Sequence, residues 1–113
     1  MAPKTLASVT IADGASLSEA LALGERSVGA IEVGASWSTA VLSLAVSRDG
    51  STFVPLYDRD GEVTFPAASS IGFVVDPTLL LGWTHVKARS GTAASPVAQS
   101  GAVSVGFGIR EFA

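Results

Sequence analysis

Residues 40–66 read AVLSLAVSRDGSTFVPLYDRDGEVTFP, and the fold class follows from them. Leu42, Leu44 and Val46 alternate with Ser43, Ala45 and Ser47, the period of a β-strand with one buried face. Two short polar loops follow, Arg48-Asp49-Gly50-Ser51 and Asp58-Arg59-Asp60-Gly61. Each contains a glycine that can take the positive φ a tight hairpin requires. The stretch therefore predicts an antiparallel meander with strands at residues 39–47, 52–57 and 62–65. Pro55 has no N–H to give to a ladder, which puts the middle strand at a sheet edge.

The same alternation extends outward in both directions. Ala7, Val9 and Ile11 define a strand at 5–12, Ile31 and Val33 one at 28–33, and Ile71, Phe73 and Val75 another. Ser16 and Glu19 have the spacing of a helix capping box, but Gly24 arrives too soon for a stable helix, so 16–23 is read as a strand. Asp76-Pro77 followed by three leucines and Gly82 reads as a single capped helical turn whose leucines plug one end of the molecule. From Trp83 to Arg89 the period returns, with Val86 and Ala88 on one face and His85, Lys87 and Arg89 on the other. Val103, Val105, Phe107 and Ile109 close the chain with its cleanest alternation. The expectation is an all-β protein: one domain, residues 1–113, folded as a jelly-roll-like antiparallel sandwich of about eight strands with at most one short helical turn.

Composition narrows the function classes. There is no cysteine, so neither disulfides nor thiolate chemistry is available. The net charge is −3, and seven scattered Lys and Arg do not form the basic face that nucleic-acid binding requires. No apolar run approaches the ~20 residues of a spanning helix. Nor does Met-Ala-Pro-Lys-Thr lead into the apolar stretch of a secretory signal, so neither membrane nor export is expected. Only 15% of residues are charged, against about a quarter in an ordinary soluble domain. Life against a protein partner and a genome rich in Ala and Gly codons explain that equally well.

Candidate chemistry is sparse. His85 is the sole histidine, and its neighbours on the strand face are Lys87 and Arg89, not a carboxylate that could orient it for a triad. Asp58, Asp60 and Glu62 have a faint calcium-loop spacing, but the distal bidentate Glu is missing and Arg59 stands among them, so they read as a hairpin turn. Trp37, Trp83 and Tyr57 could build a sugar platform. The chain has no Asn, however, and Gln99 is its only glutamine. No catalysis, metal or cofactor is expected. Trp37 lies among small residues with no apolar periodicity to bury it, so it is expected at the surface. The cations at 85, 87 and 89 require an acidic neighbour, to be supplied by Glu32, Glu62, Glu111 or a partner.

One ordered pattern goes beyond a generic sandwich. It runs Val28-Gly29-Ala30-Ile31-Glu32-Val33, Trp37-Ser38-Thr39-Ala40, then Ser47-Arg48-Asp49-Gly50-Ser51-Thr52-Phe53-Val54-Pro55-Leu56-Tyr57-Asp58. Val75-Asp76-Pro77, Gly82-Trp83, Val86-Lys87-Ala88-Arg89-Ser90-Gly91-Thr92 and Pro96-Val97-Ala98-Gln99 follow. This order resembles small β-sandwich virion proteins of tailed bacteriophages, either capsid decoration (cement) proteins or minor structural components. The resemblance implies a mechanical role in the virion, which is assembled in the bacterial cytoplasm. A decoration protein bridges neighbouring subunits of the major capsid protein, or contacts another virion protein, with copies at symmetry-related sites. Partner contacts are then expected at Trp37, His85, Lys87, Arg89, Pro96 and Gln99. Where a basic residue would follow the Gln, this chain has Ser100-Gly101. The alternatives are a tail or baseplate component and a carbohydrate- or receptor-binding module.

Overall fold

The computed structural model describes residues 4–111, with side chains described from 7 to 109. Eleven strands occur in chain order: β1 Lys4–Ile11, β2 Leu21–Ala22, β3 Arg26–Val33, β4 Leu42–Ser47, β5 Val54–Pro55, β6 Tyr57–Asp58, β7 Gly61–Glu62, β8 Thr64–Phe65, β9 Gly72–Val74, β10 His85–Ser90 and β11 Val103–Glu111. They form an antiparallel sandwich. The first sheet has the order β1-β11-β3-β9; the second has β2-β10-β4-β5, with β8 also on β4, and β6-β7 is a separate hairpin. The chain crosses from one sheet to the other between β1, β2, β3 and β4 and again between β8, β9, β10 and β11, so every pair in the first sheet, and β10 with β2 and β4 in the second, joins strands distant in sequence.

The core lies where the two inner faces meet. Val9, Ile11, Ile31, Val33, Val105, Phe107 and Ile109 come from the first sheet, and Leu42, Leu44, Val46, Val86 and Ala88 from the second. These are the alternating residues of the sequence, and burying each large one is worth roughly 1.5–3 kcal/mol. The capped turn after Asp76 forms as a run of turns with Leu79 N–H on the Asp76 carbonyl and Trp83 N–H on that of Leu80. Leu80 fills one end of the core while Leu81 stays exposed.

Two sequence expectations change. The strand at 52–57 is broken. Leu56 keeps one bond to β4, from its N–H to the Leu44 carbonyl, and turns its side chain into the core; the chain then leaves the ladder, and residues 57–62 form the β6-β7 hairpin. β4, expected to have one buried face, is buried at all six positions. Its outer residues Ser43, Ala45 and Ser47 are small, which lets longer side chains from β10 and the following loops lie across them. The segment at 16–23 is extended as expected, with an isolated bridge from Leu17 to Arg89 before β2. Glu19 does not cap a helix; it accepts the Thr10 N–H at 2.6 Å.

The turn after β4 is organised by one carboxylate. Asp49 Oδ1 accepts the N–H groups of Ser51 and Thr52 and the Ser47 hydroxyl. Those donors hold its pKa at about 2, below the usual 3.8. Because the folded-state value is depressed, the stabilisation is fully present above pH ~4 and is lost as pH falls toward about 2. Asp49→Asn should therefore flatten the acid limb of a Tm-against-pH curve between about pH 4 and 2. An unchanged slope would show that this carboxylate does not govern acid stability.

Candidate functional site

The outer face of the second sheet was the expected partner surface. His85, Lys87 and Arg89 do share it, each partly buried, opposite Ser47, Ala45 and Ser43 of β4. Their long stems cover these small residues, which explains why β4 has no open face. The structure also provides partners from within the chain. Arg89 Nη1 reaches Glu62 Oε2 at 3.5 Å, with both side chains nearly nine-tenths buried. Lys87 Nζ stands 4.5 Å above the Phe53 ring, a cation–π contact. His85 Nδ1 meets the Thr84 hydroxyl at 2.8 Å, and its ring lies against Gly50. Gly50 has φ +80°, and a β-carbon there would come within 2.9 Å of His85 Nε2.

Of the three acidic candidates, Glu62 is therefore the partner. Glu32 is exposed on the other sheet, and the Glu111 side chain lies outside the described residues. Glu62 also accepts the Ala93 N–H at 3.1 Å, tying the loop after β10 to the hairpin. This use turns it away from any calcium site with Asp58 and Asp60, and among the described residues no group of His, Asp or Glu is gathered as metal ligands. Glu62→Ala should cost about 1 kcal/mol by urea denaturation, from the lost ion pair and the lost bond to the exposed Ala93 N–H, which water takes over. A double-mutant cycle with Arg89→Ala should return a coupling of about 1 kcal/mol or less; a larger value would mean the pair is more desolvated than its geometry indicates.

Two expected contact residues prove to be interior. Trp37 is only 6% exposed; it belongs to the core, and its indole N–H donates to the Ala40 carbonyl at 3.1 Å. The expectation that it stands at the surface is corrected: burial came from folding the 34–40 loop over the end of the sandwich, which strand periodicity does not encode. Gln99 is 1% exposed. Its Oε1 accepts the Ser38 N–H at 2.7 Å, and its Nε2 donates to the Ser90 hydroxyl at 2.7 Å and to the Ser38 carbonyl at 3.3 Å. It is an internal strut that ties its own loop to the 34–40 loop and to the end of β10, and a partner cannot reach it. Pro96 is exposed and closes the 91–96 turn through its bridge to Gly91. With Trp37 buried and Trp83 packed against the core, only Tyr57 of the three aromatics is open, and they do not form a shared platform.

What remains open is the outer face of the first sheet. Thr10, Ser104, Gly108, Ala30, Glu32 and Gly72 form a low surface from which Val74 rises, 94% exposed. A shallow groove of about 450 Å³ runs between Ala30, Glu32, Gly72, Val74 and Gly108. Its depth follows from glycine: a β-carbon at Gly108 would come within 3.2 Å of the Ala30 β-carbon. The small residues Ser104, Gly106 and Gly108, which alternate with the buried ones along β11, are the sequence signal for this face.

No protein-family model matches the chain, and no curated protein is similar to it. Among solved structures, it is similar to the SPBc2 prophage-derived protein YomS, with a TM-score of 0.53 and 14% identity over 97% of this chain and 96% of that one. A subunit from Bacillus endospore appendages, described as disulfide-linked pili, aligns over 98% of this chain and 89% of that one, at 14% identity and a TM-score of 0.43. The likeness to YomS is one of fold, and it spans both chains almost completely; the pilus subunit is too distant to argue from.

Proposed function

We propose that this chain is a non-catalytic structural protein of a phage virion, and more narrowly a capsid decoration protein that binds the head shell and reinforces it. The observation that carries this reading is the sandwich itself, matched nearly end to end by a prophage-derived protein. The ordered turn and strand motifs of the sequence support the same source. A mechanical role also suits the architecture. Both faces of β4 are packed, the loops are pinned by Gln99 and Glu62, and no described side-chain nitrogen or oxygen is left buried without a partner.

The contact surface proposed here differs from that first expected. Trp37 and Gln99 lie inside, and Lys87 and Arg89 already have partners within the chain. The face around Val74 is open, almost free of charge and capable of close approach, as interface cores are. Val74→Glu should leave the Tm within a few degrees yet weaken binding to purified empty heads about tenfold or more, measured by co-sedimentation. Binding to isolated tails in place of heads would make the chain a tail component. Binding to neither would overturn the virion reading, and binding indifferent to Val74→Glu would move the docking face to the Pro96 loop.

A further inference from the structure

The edge strand β9 carries Val74, 94% exposed, and its main-chain groups are accounted for on one side only. Val33 N–H donates to the Ile71 carbonyl and Val75 N–H to the Gly29 carbonyl, with Phe73 opposite Ile31 between them. Residues 71, 73 and 75 therefore address β3. By the alternation of an antiparallel ladder, Gly72 and Val74 turn their N–H and C=O groups to the open side. Among the described residues, neither N–H reaches a protein acceptor.

Bonds within the chain close this free edge at both ends. Ser70 has φ 60°, and its N–H is spent on the Gly34 carbonyl. On the other side the Asp76 carbonyl accepts the Leu79 N–H, and Pro77 follows. What is left is Gly72-Phe73-Val74. Its one antiparallel self-register that uses both free residues sets Gly72 opposite Val74, with Phe73 on the axis. The side chains fit that register. On the outer face Val74 already stands beside Ala30 of β3, and a second copy brings Gly72 to its other side, so each valine rises between two small residues. On the inner face Phe73, partly buried and 5.5 Å from the Phe65 ring, meets its own counterpart. Charge does not oppose the match. Glu32, opposite Gly72 on β3, would lie three strand spacings from its counterpart, roughly 14 Å and beyond the ~8 Å screening length at physiological salt.

We propose that β9 pairs with β9 of a second copy, antiparallel across a two-fold axis at Phe73, so that two first sheets run on as one and their open faces around Val74 become continuous. A foreign extended segment would find the same N–H groups but would need a gap of its own for Val74. The second copy brings that gap with it, once on each side of the axis. The contact is short, so the pairing is weak in dilute solution and gains where copies are held close together.

Sedimentation equilibrium of the full chain, with no heads present, tests the pairing separately from head binding. The mean mass should rise with concentration from 11.4 kDa toward twice that value. Val74→Pro removes an N–H that the chain's own ladder does not use, so the Tm should hold while association weakens about tenfold or more. Gly72→Glu keeps the test decisive if the proline variant fails to fold. A β-carbon at Gly72 has only the Ile31 carbonyl oxygen near it, at 3.6 Å, so the fold accepts a side chain there. Across the axis that side chain sets a carboxylate against Val74 of the other copy, and association should fall as far. A single-chain mass at the highest soluble concentration would overturn the proposal. So would association undiminished in either variant that folds.

Discussion

Trp37→Ala should destabilise the protein by about 3–5 kcal/mol, the usual cost of emptying a buried aromatic site. In a domain of this size that is a fall in Tm of roughly 10–20 °C. The indole fills the end of the sandwich at 6% exposure, and its N–H is bonded to the Ala40 carbonyl, so the substitution leaves both a cavity and an unpaired acceptor. The 34–40 loop cannot simply collapse onto the gap. Ser38 N–H is fixed to Gln99, and Ser69 Oγ donates to the Trp37 carbonyl. Urea denaturation measures the loss. A change below about 1 kcal/mol would return Trp37 to the surface role its sequence surroundings suggested.

Gly91→Ala should be nearly as damaging, at about 3 kcal/mol or more, for a backbone reason. Gly91 has φ +87°, and a β-carbon there would come within 2.5 Å of the Ser95 carbonyl oxygen and 2.7 Å of the Val97 nitrogen. The loop after β10 folds back at this point. Gly91 bridges Pro96, Val97 N–H returns to the Ser90 carbonyl, and Ser43 Oγ donates to the Gly91 carbonyl at 2.7 Å. Any side chain pries those bonds apart. Gly24→Ala is the control. It also has a positive φ, +63°, but no neighbour within 4 Å of the added carbon, so only the conformational cost of about 1–2 kcal/mol applies. Equal losses at the two positions would show that φ alone, not the close approach, governs Gly91.

The legible and illegible parts of this chain divide along a physical line. Alternation at Leu42-Leu44-Val46 and at Val103-Val105-Phe107-Ile109 announced which side chains enter the core, because a strand turns every second residue the same way. The Asp-Gly turns and the edge position of Pro55 were equally local, since each depends on what one or two residues permit the backbone to do. The interior places of Trp37 and Gln99 were not local. Both sit in loops without a period, and each is buried by segments about sixty residues away or across the sandwich.

Glu62 shows the same limit from the side of charge. Period two put the cations of β10 on one face and required a carboxylate, but Glu32, Glu62 and Glu111 satisfied the sequence equally well. The choice came from the broken strand after Pro55, which throws the β6-β7 hairpin across the outer face and lays Glu62 on Arg89. By itself, then, the sequence determined the all-β class, the inner face of the principal strands and the turns between them, because those are properties of neighbouring residues. The pairing of β11 with β1 and β3, the closing of both faces of β4 and the open surface around Val74 were decided only by tertiary structure. Contacts between strands distant in the chain depend on how whole sheets stack, and no local period carries that information.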